Sequence, residues 1–398
     1  MLAASALAVS MALAGCGAKT AATPGAQTTS TAADARAGAT PQPAEPGQPP
    51  LSSGEVGTLV QVPWGEIGTG WALAEFTTGS NQVAGPVTLY MLDPEGGMYQ
   101  LYRWPATTQP WVLMAWSADK SRVLLEQVGT SQPTLHQLTI ATGQVTTFTL
   151  PSTVTQVLGY TRPDGENILV AEDGIVRYSL TGVFQARLSQ GGAYESVVSS
   201  LDGLTEVVSG GTGVQVVSNA GGMVRSLPVP GTDATLGGCL PERWWDAADV
   251  LVACTSAGAI GPRLWVVPVS GAPPAALTPA RTAGSPDFGD VDAWQLPTGL
   301  YLQAEAGCGP PFIAQQEADG TVQAVTLPGT SAGKVVIATT ADSLLVQEFT
   351  ECLPGSSLVW FTPRTNAVQP VLTAPANSTG VVAAIPYDEN GEQPPPQG

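Results

Sequence analysis

VLMAWSADKSRVLLEQVGTSQPTLHQLTIATGQVTTFTL, the stretch from Val112 to Leu150, reads as four short strands in succession. Val112–Ser117, Val123–Gln127, Leu135–Ala141 and Gln144–Leu150 are rich in apolar and β-branched residues, alternate in polarity, and are separated by Gly, Ser, Asp or Pro turns. The following stretch repeats the layout with Thr155–Thr161, Asn167–Glu172, Ile175–Leu180 and Val183–Leu188. Two markers carry the pattern along the chain. An apolar run, the second strand of each unit, recurs at Trp71–Phe76, Val123–Glu126, Ile168–Ala171, Glu206–Ser209, Val250–Cys254, Leu300–Ala304 and Leu344–Phe349. A hairpin turn follows each run, centred on Gly96, Gly143, Gly182, Gly221, Gly271, Gly320 and Asn366. The spacing of about 45 residues is the period of a β-propeller blade. One such unit cannot bury its apolar faces alone, so the units must stack around a common axis. The expected fold is all-β, a seven-bladed β-propeller, with six or eight blades as alternatives. Closure stays open at this level: Val381–Tyr387 reads as an innermost strand, and Val60–Val62 or Trp64–Ile67 could also serve the first blade.

Composition agrees with a turn-rich β protein. Of 398 residues, 46 are Gly and 35 Pro, 43% are hydrophobic and only 12% charged. The formal net charge of −18 repels phosphate backbones and anionic headgroups, so nucleic-acid binding is not expected.

The N-terminus carries its own signal. Leu2 to Ala12 is a short, small-residue apolar region, too short to span a bilayer, followed by Leu13-Ala14-Gly15-Cys16. This tetrapeptide resembles the lipobox of bacterial lipoproteins. The resemblance implies a signal peptide over 1–15, lipidation of Cys16 and attachment to the extracytoplasmic side of the cell membrane through that lipid alone. Residues 16–53 are Ala, Thr, Pro, Gln and Gly with almost no large apolar side chain, a composition that does not fold. As a flexible tether this segment would span roughly 35 Å. The propeller is then expected over 54–390, followed by a Pro-rich disordered tail, 391–398.

Within the blades, Trp116-Ser117-Ala118-Asp119-Lys120-Ser121 and Tyr160-Thr161-Arg162-Pro163-Asp164-Gly165-Glu166 are similar to the W-S-P-D-G-K motif of WD40-like, TolB-type propeller repeats. Ser200-Leu201-Asp202-Gly203 and Thr340-Ala341-Asp342-Ser343 are weaker copies. In such repeats the Asp-Gly forms the tight turn between the first two strands, which needs a residue comfortable at positive φ. The resemblance covers the blades only and implies fold rather than role, since propellers host unrelated functions.

The remaining cysteines fall in register with the blades. Cys239 precedes the first strand of the fifth blade, Cys254 ends its second, and Cys308 and Cys352 follow the second strands of blades six and seven. These connections share one end of a propeller, so bridges Cys239–Cys254 and Cys308–Cys352 are expected, as suits an exported chain. No Cys-x-x-Cys spacing suggests zinc.

Catalytic constellations are sparse. His136 is the single histidine and lies inside a strand, which removes serine–histidine triads and multi-histidine metal sites. No phosphate-binding or dinucleotide loop is present, and with no second domain after the propeller the chain does not read as the gating half of a propeller peptidase. Glu75, Glu126, Glu172, Glu305 and Glu348 recur near the ends of the second strands, and Asp287, Asp290 and Asp292 crowd one loop, a weak calcium candidate. No cofactor is otherwise implied. Trp104, Trp111, Tyr194, Trp244, Trp245, Phe288 and Trp294 fall in or beside the longer loops and form the candidate binding face, as aromatic anchors for a protein or as stacking planes for a sugar. The sequence therefore reads as a lipid-anchored extracytoplasmic binding module, not an enzyme, with an envelope protein or a glycan as partner. The alternative is a glycan-acting hydrolase or lyase using loop-face carboxylates.

Overall fold

The computed structural model describes residues 51–387 except 53, 81–84, 107–110, 191–195, 234, 236–237, 257–258, 260, 282–289, 305–309, 318–319, 329–332, 351–352 and 376–377. The signal peptide, Cys16, the linker, Tyr194, Asp287, Phe288, Glu305, Cys308, Cys352 and the tail lie outside the described residues. What is described is a ring of seven antiparallel sheets, each with strands a to d running outward from the axis. The second blade is Trp111–Trp116, Arg122–Gln127, Thr134–Thr139 and Gln144–Thr149, and the third is Gln156–Tyr160, Asn167–Ala171, Ile175–Ser179 and Phe184–Arg187. Each strand lies within a residue or two of its expected place.

Seven buried clusters, one between each pair of consecutive blades, hold the ring together. Leu73, Leu89 and Met91 of blade 1 meet Val123 and Leu125 of blade 2; Leu124 points the other way and meets Ile168 and Val170 of blade 3. The same division continues around to Leu345 and Leu358 of blade 7, which pack on Ala72 and Ala74 of blade 1. Strand b is thus covered on both faces, which is why it appears in the sequence as a continuous apolar run instead of an alternating one.

The turns between strands c and d repeat one backbone conformation. Gly96, Gly143, Gly182, Gly221, Gly271 and Gly320 all have positive φ, and Asn366 takes the same place in blade 7 at 52°. The W-S-x-D motif builds the a–b turns. Asp119 accepts from Ser117 Oγ, Ser121 Oγ and Ser121 N, and Asp202 from Ser200 Oγ and Leu204 N. Gly165 and Gly203 supply the left-handed residue; in blade 2 Lys120 does so at φ 65°, its Nζ donating to Ile67 O at 2.6 Å.

The chain ends close the ring. Gly380–Pro386 is strand a of blade 1, paired with Ala72–Thr77, and Ser356–Gly380 forms a single bridge to blade 7. Of the N-terminal candidates for that place, Leu59–Gln61 is a 3₁₀ turn and residues 64–66 form a turn. Val56–Thr58 adds a parallel fifth strand to the outer edge of blade 1, along Met98–Trp104.

Strand a is also irregular. In six blades its register with strand b slips by one residue, leaving Val382, Met114, Leu158, Glu242, Val291 and Ile337 as bulged positions. The bulge is used between blades. Glu75 on strand b of blade 1 accepts from Leu113 N of blade 2, and Gln303 on strand b of blade 6 accepts from Val336 N of blade 7, each just before a bulge. Gln303 also donates to the carbonyls of Phe312 and Lys334. Glu75 is wholly buried, and burial pushes its carboxyl up to about 8 despite the Leu113 hydrogen bond.

The fifth blade carries the expected disulfide, Cys239–Cys254, across a directly opposed pair on strands a and b. No helix among the described residues is long and apolar enough to cross a membrane.

Two outcomes follow from this packing. Folding takes up a proton at Glu75 between its ordinary value of 4.5 and about 8, so stability is full in acid and falls as pH rises through that window, by on the order of 5 kcal/mol for this group alone. Glu75→Gln, which copies Gln303, should flatten that fall, with a thermal midpoint above the parent's at pH 9 and near it at pH 5. Closing a 15-residue separation, the disulfide should contribute about 3 kcal/mol. Urea unfolding of the Cys239→Ala/Cys254→Ala pair should show that loss in oxidising buffer.

Candidate functional site

Strand a of each blade has one edge free toward the axis, so its side chains line the central channel. At the end of the channel nearest the a–b turns, strands a of blades 1 to 5 enclose a cavity of about 270 Å³. Its wall includes Met114 and Leu158 at bulged positions, Trp116 and Tyr160 at the aromatic position of the repeat motif, and Tyr387 just after the closing strand. Its charged side chains are Arg162, Glu242 and Arg243.

These groups are held firmly. Arg243 donates from Nε to Asp292 Oδ1 at 2.9 Å, and its guanidinium lies 5.3 Å from the ring of Trp294 and 5.9 Å from that of Trp245. Arg162 and Glu242 each have a partner within the protein. Tyr387 donates from its hydroxyl to Ala118 O at 2.8 Å and from its backbone to Trp71 O at 2.7 Å; its ring meets Trp116 edge-on at 4.9 Å and lies under Lys120 Nζ at 5.0 Å. Burial holds the Tyr160 hydroxyl well above its ordinary range, so it stays a neutral donor. Ser199, also in the wall, pairs across strands with Glu206, whose buried carboxyl is raised to about 7 by desolvation.

The sequence-derived aromatics do not assemble into one face. Trp104 is buried in the core between blades 1 and 2, in contact with Trp111, which in turn stacks on His136 at 3.8 Å. These lie toward the end of the d–a connections. Trp244 and Trp294 are 7% exposed, and Trp245 sits in an a–b turn at the opposite end. Trp244 serves structure, donating to Ser199 O at 2.8 Å. The reason for the difference is that residues 239–244 are strand rather than loop, which carries the tryptophan pair across the blade.

The carboxylates are likewise dispersed. Glu75 is buried between blades, Glu126 is half-buried with its carboxyl raised by desolvation, and Glu172 accepts from Thr153 and from Tyr178 Oη. Of the calcium candidates, Asp290 is buried against Arg281 at 3.1 Å and Asp292 faces Arg243. Among the described residues no cluster of three or more His, Cys, Asp or Glu could hold a metal ion. Sequence reasoning missed Arg162, Glu242, Arg243 and Tyr387. The motif marks Trp116 and Tyr160, but a bulge leaves no sequence signature, so the residues it turns toward the axis could not be picked out.

No protein-family model matches this sequence, and no curated protein matches it. Solved structures do resemble the fold. The chain is similar to TolB from Acinetobacter baumannii, with 12% identity and a TM-score of 0.44 over 79% of this chain and 66% of that one. It is similar to a prolyl endopeptidase, with 14% identity and a TM-score of 0.51 over 77% of this chain and 50% of that one. An oligogalacturonate lyase solved with manganese matches at 14% identity and a TM-score of 0.47 over 77% of this chain and 86% of that one. Likeness at this level concerns fold alone: the chain is a β-propeller. It spans just under two thirds of the TolB chain and half of the endopeptidase chain.

Tyr387 ties the closing strand to blade 2 and forms part of the cavity wall. Tyr387→Phe should cost about 1 kcal/mol for the hydrogen bond, and Tyr387→Ala about 3–5 kcal/mol, measured by urea unfolding.

Proposed function

We propose that this protein is an extracytoplasmic binding module, anchored through lipidated Cys16 and held off the membrane by the 16–53 linker, and that the central cavity is where it takes its ligand. The observation that carries this reading is the wall itself. It sets arginine, glutamate and aromatic side chains from separate blades around one concavity, the arrangement of a pre-formed recognition site. The Cys239–Cys254 disulfide supports an extracytoplasmic location. A glycoside hydrolase of the common two-carboxylate kind would set its pair of carboxylates facing each other across about 5–10 Å. Among the described wall residues Glu242 is a lone carboxylate, and Glu75 of the sequence-derived acids is used between blades. An envelope protein or a glycan is the expected partner.

The test is capture from native membranes by the soluble head, in parallel with Met114→Trp, which fills the cavity from its wall. Specific capture by the parent that drops at least tenfold in the variant is the expected result. Capture of neither protein nor glycan, or capture indifferent to the filled cavity, would overturn the reading.

A further inference from the structure

Large apolar side chains are unevenly placed on the outside of the ring. Nine are exposed among the described residues, and six of them belong to blades 3 and 4: Val183, Phe184, Leu201, Leu204, Met223 and Val224. Each lies in an a–b or c–d turn or within two residues after one, and in a propeller those turns share one end. Val128, after strand b of blade 2, stands at the opposite end. Single exposed apolar residues are ordinary, but six gathered on two adjacent blades mark an interaction surface.

The turns that carry them are fixed to one another. Asn219, in the c–d turn of blade 4, donates from its backbone to Leu204 O and from Nδ2 to Gly203 O, which joins the turns bearing Leu204 and Met223. Arg177 of blade 3 donates to Asn219 Oδ1 at 2.6 Å, and Phe184 packs edge-on against Tyr178 at 6.0 Å. Asp202, between the two leucines, accepts from Ser200 Oγ and Leu204 N within its own turn. Strand d slips in register at Gln185 in blade 3 and at Val224 in blade 4. Such bulges spoil an outer edge as a template for another strand, so the side chains and not the backbone make the contact.

The place where the chain enters the ring selects the occupant. Gly54 N donates to Gly96 O and Leu51 lies against Gly97, so the chain arrives at the c–d turn of blade 1, at the same end as the six apolar residues. Leu51 stands 35 residues after Cys16, a tether reaching roughly 35 Å. An anchor at Cys16 therefore keeps this end near the bilayer, and confinement makes even weak contact effective. With a chain charge of −18, no anionic headgroup draws the head down, so the attraction comes from burying apolar side chains.

We propose that the turn end of blades 3 and 4 is a membrane-docking surface, which sets these apolar side chains into the interface of a zwitterionic bilayer as a second contact beside the Cys16 lipid. This rests on the anchored reading for the direction in which the head faces. The test floats residues 16–398 carrying Cys16→Ser with phosphatidylcholine vesicles at millimolar lipid. The parent should float, and Leu204→Ser/Met223→Ser/Val224→Ser should lower the bound fraction roughly tenfold. All three positions are exposed, so the variant should keep the parent's thermal midpoint, and Leu204→Ser by itself should give an intermediate loss. Val128→Ser at the other end should change nothing, and added phosphatidylglycerol should not strengthen binding. No flotation of the parent, flotation untouched by the variants, or flotation that needs phosphatidylglycerol would overturn the proposal. A dimer in solution that the triple variant breaks, without flotation, would give the surface to a second copy and also overturn it. Palmitate incorporation into the parent but not into Cys16→Ser tests the anchor separately. Flotation without incorporation leaves the docking surface standing and removes the anchor; incorporation without flotation removes the docking surface and leaves the anchor.

Discussion

A four-stranded sheet with two apolar faces cannot be satisfied by one neighbour, and this constraint organises the molecule. Each blade buries one face against the blade before it and the other against the blade after it, so an open row would leave two faces wet. The ring removes them. The last interface, between blades 7 and 1, is completed by a strand from the C-terminal end of the chain, Gly380–Pro386, inserted at the innermost position of the first blade. Most apolar burial is accordingly long-range in sequence only at that seam. Elsewhere the core is a series of local slabs, each between units adjacent in the chain.

Polar groups follow the same geometry. A bulge in strand a frees a backbone N–H toward the preceding blade, and Glu75 and Gln303 answer it from equivalent places in blades 1 and 6. One of the two is a neutral amide that satisfies both its ends. The other is a carboxyl that burial keeps protonated near neutrality, the physical origin of the pH sensitivity expected of the fold. The bulge that creates this inter-blade contact also turns side chains toward the axis, so the architecture that joins blades decides what lines the channel.

Legibility in the sequence tracks how local the cause is. The second strand of each blade was readable because both of its faces are buried, giving an apolar run such as Val123–Leu125. The c–d turns were readable because a left-handed residue is needed at one place, and Gly or Asn supplies it. The Cys239–Cys254 pair followed from blade register. The tryptophans were misleading because Trp residues near predicted loops look like exposed anchors. Trp244 and Trp294 instead lie on strand a, where the inter-blade slab covers them. Glu242 and Arg243 were invisible as site residues for a related reason. A one-residue slip against strand b shifts the inward face, and alternation counted along the chain then assigns the side chains beyond it to the wrong side.

The amino-acid sequence by itself determined the unit, its repetition and its turns, because those depend on burial pattern and backbone handedness within some forty residues. Only the tertiary structure decided which end of the chain closes the ring, where strand a slips, and which side chains meet across the channel. Those outcomes depend on contacts between blades that are far apart in sequence, and a bulge or a closing strand is selected by its neighbours rather than by its own residues.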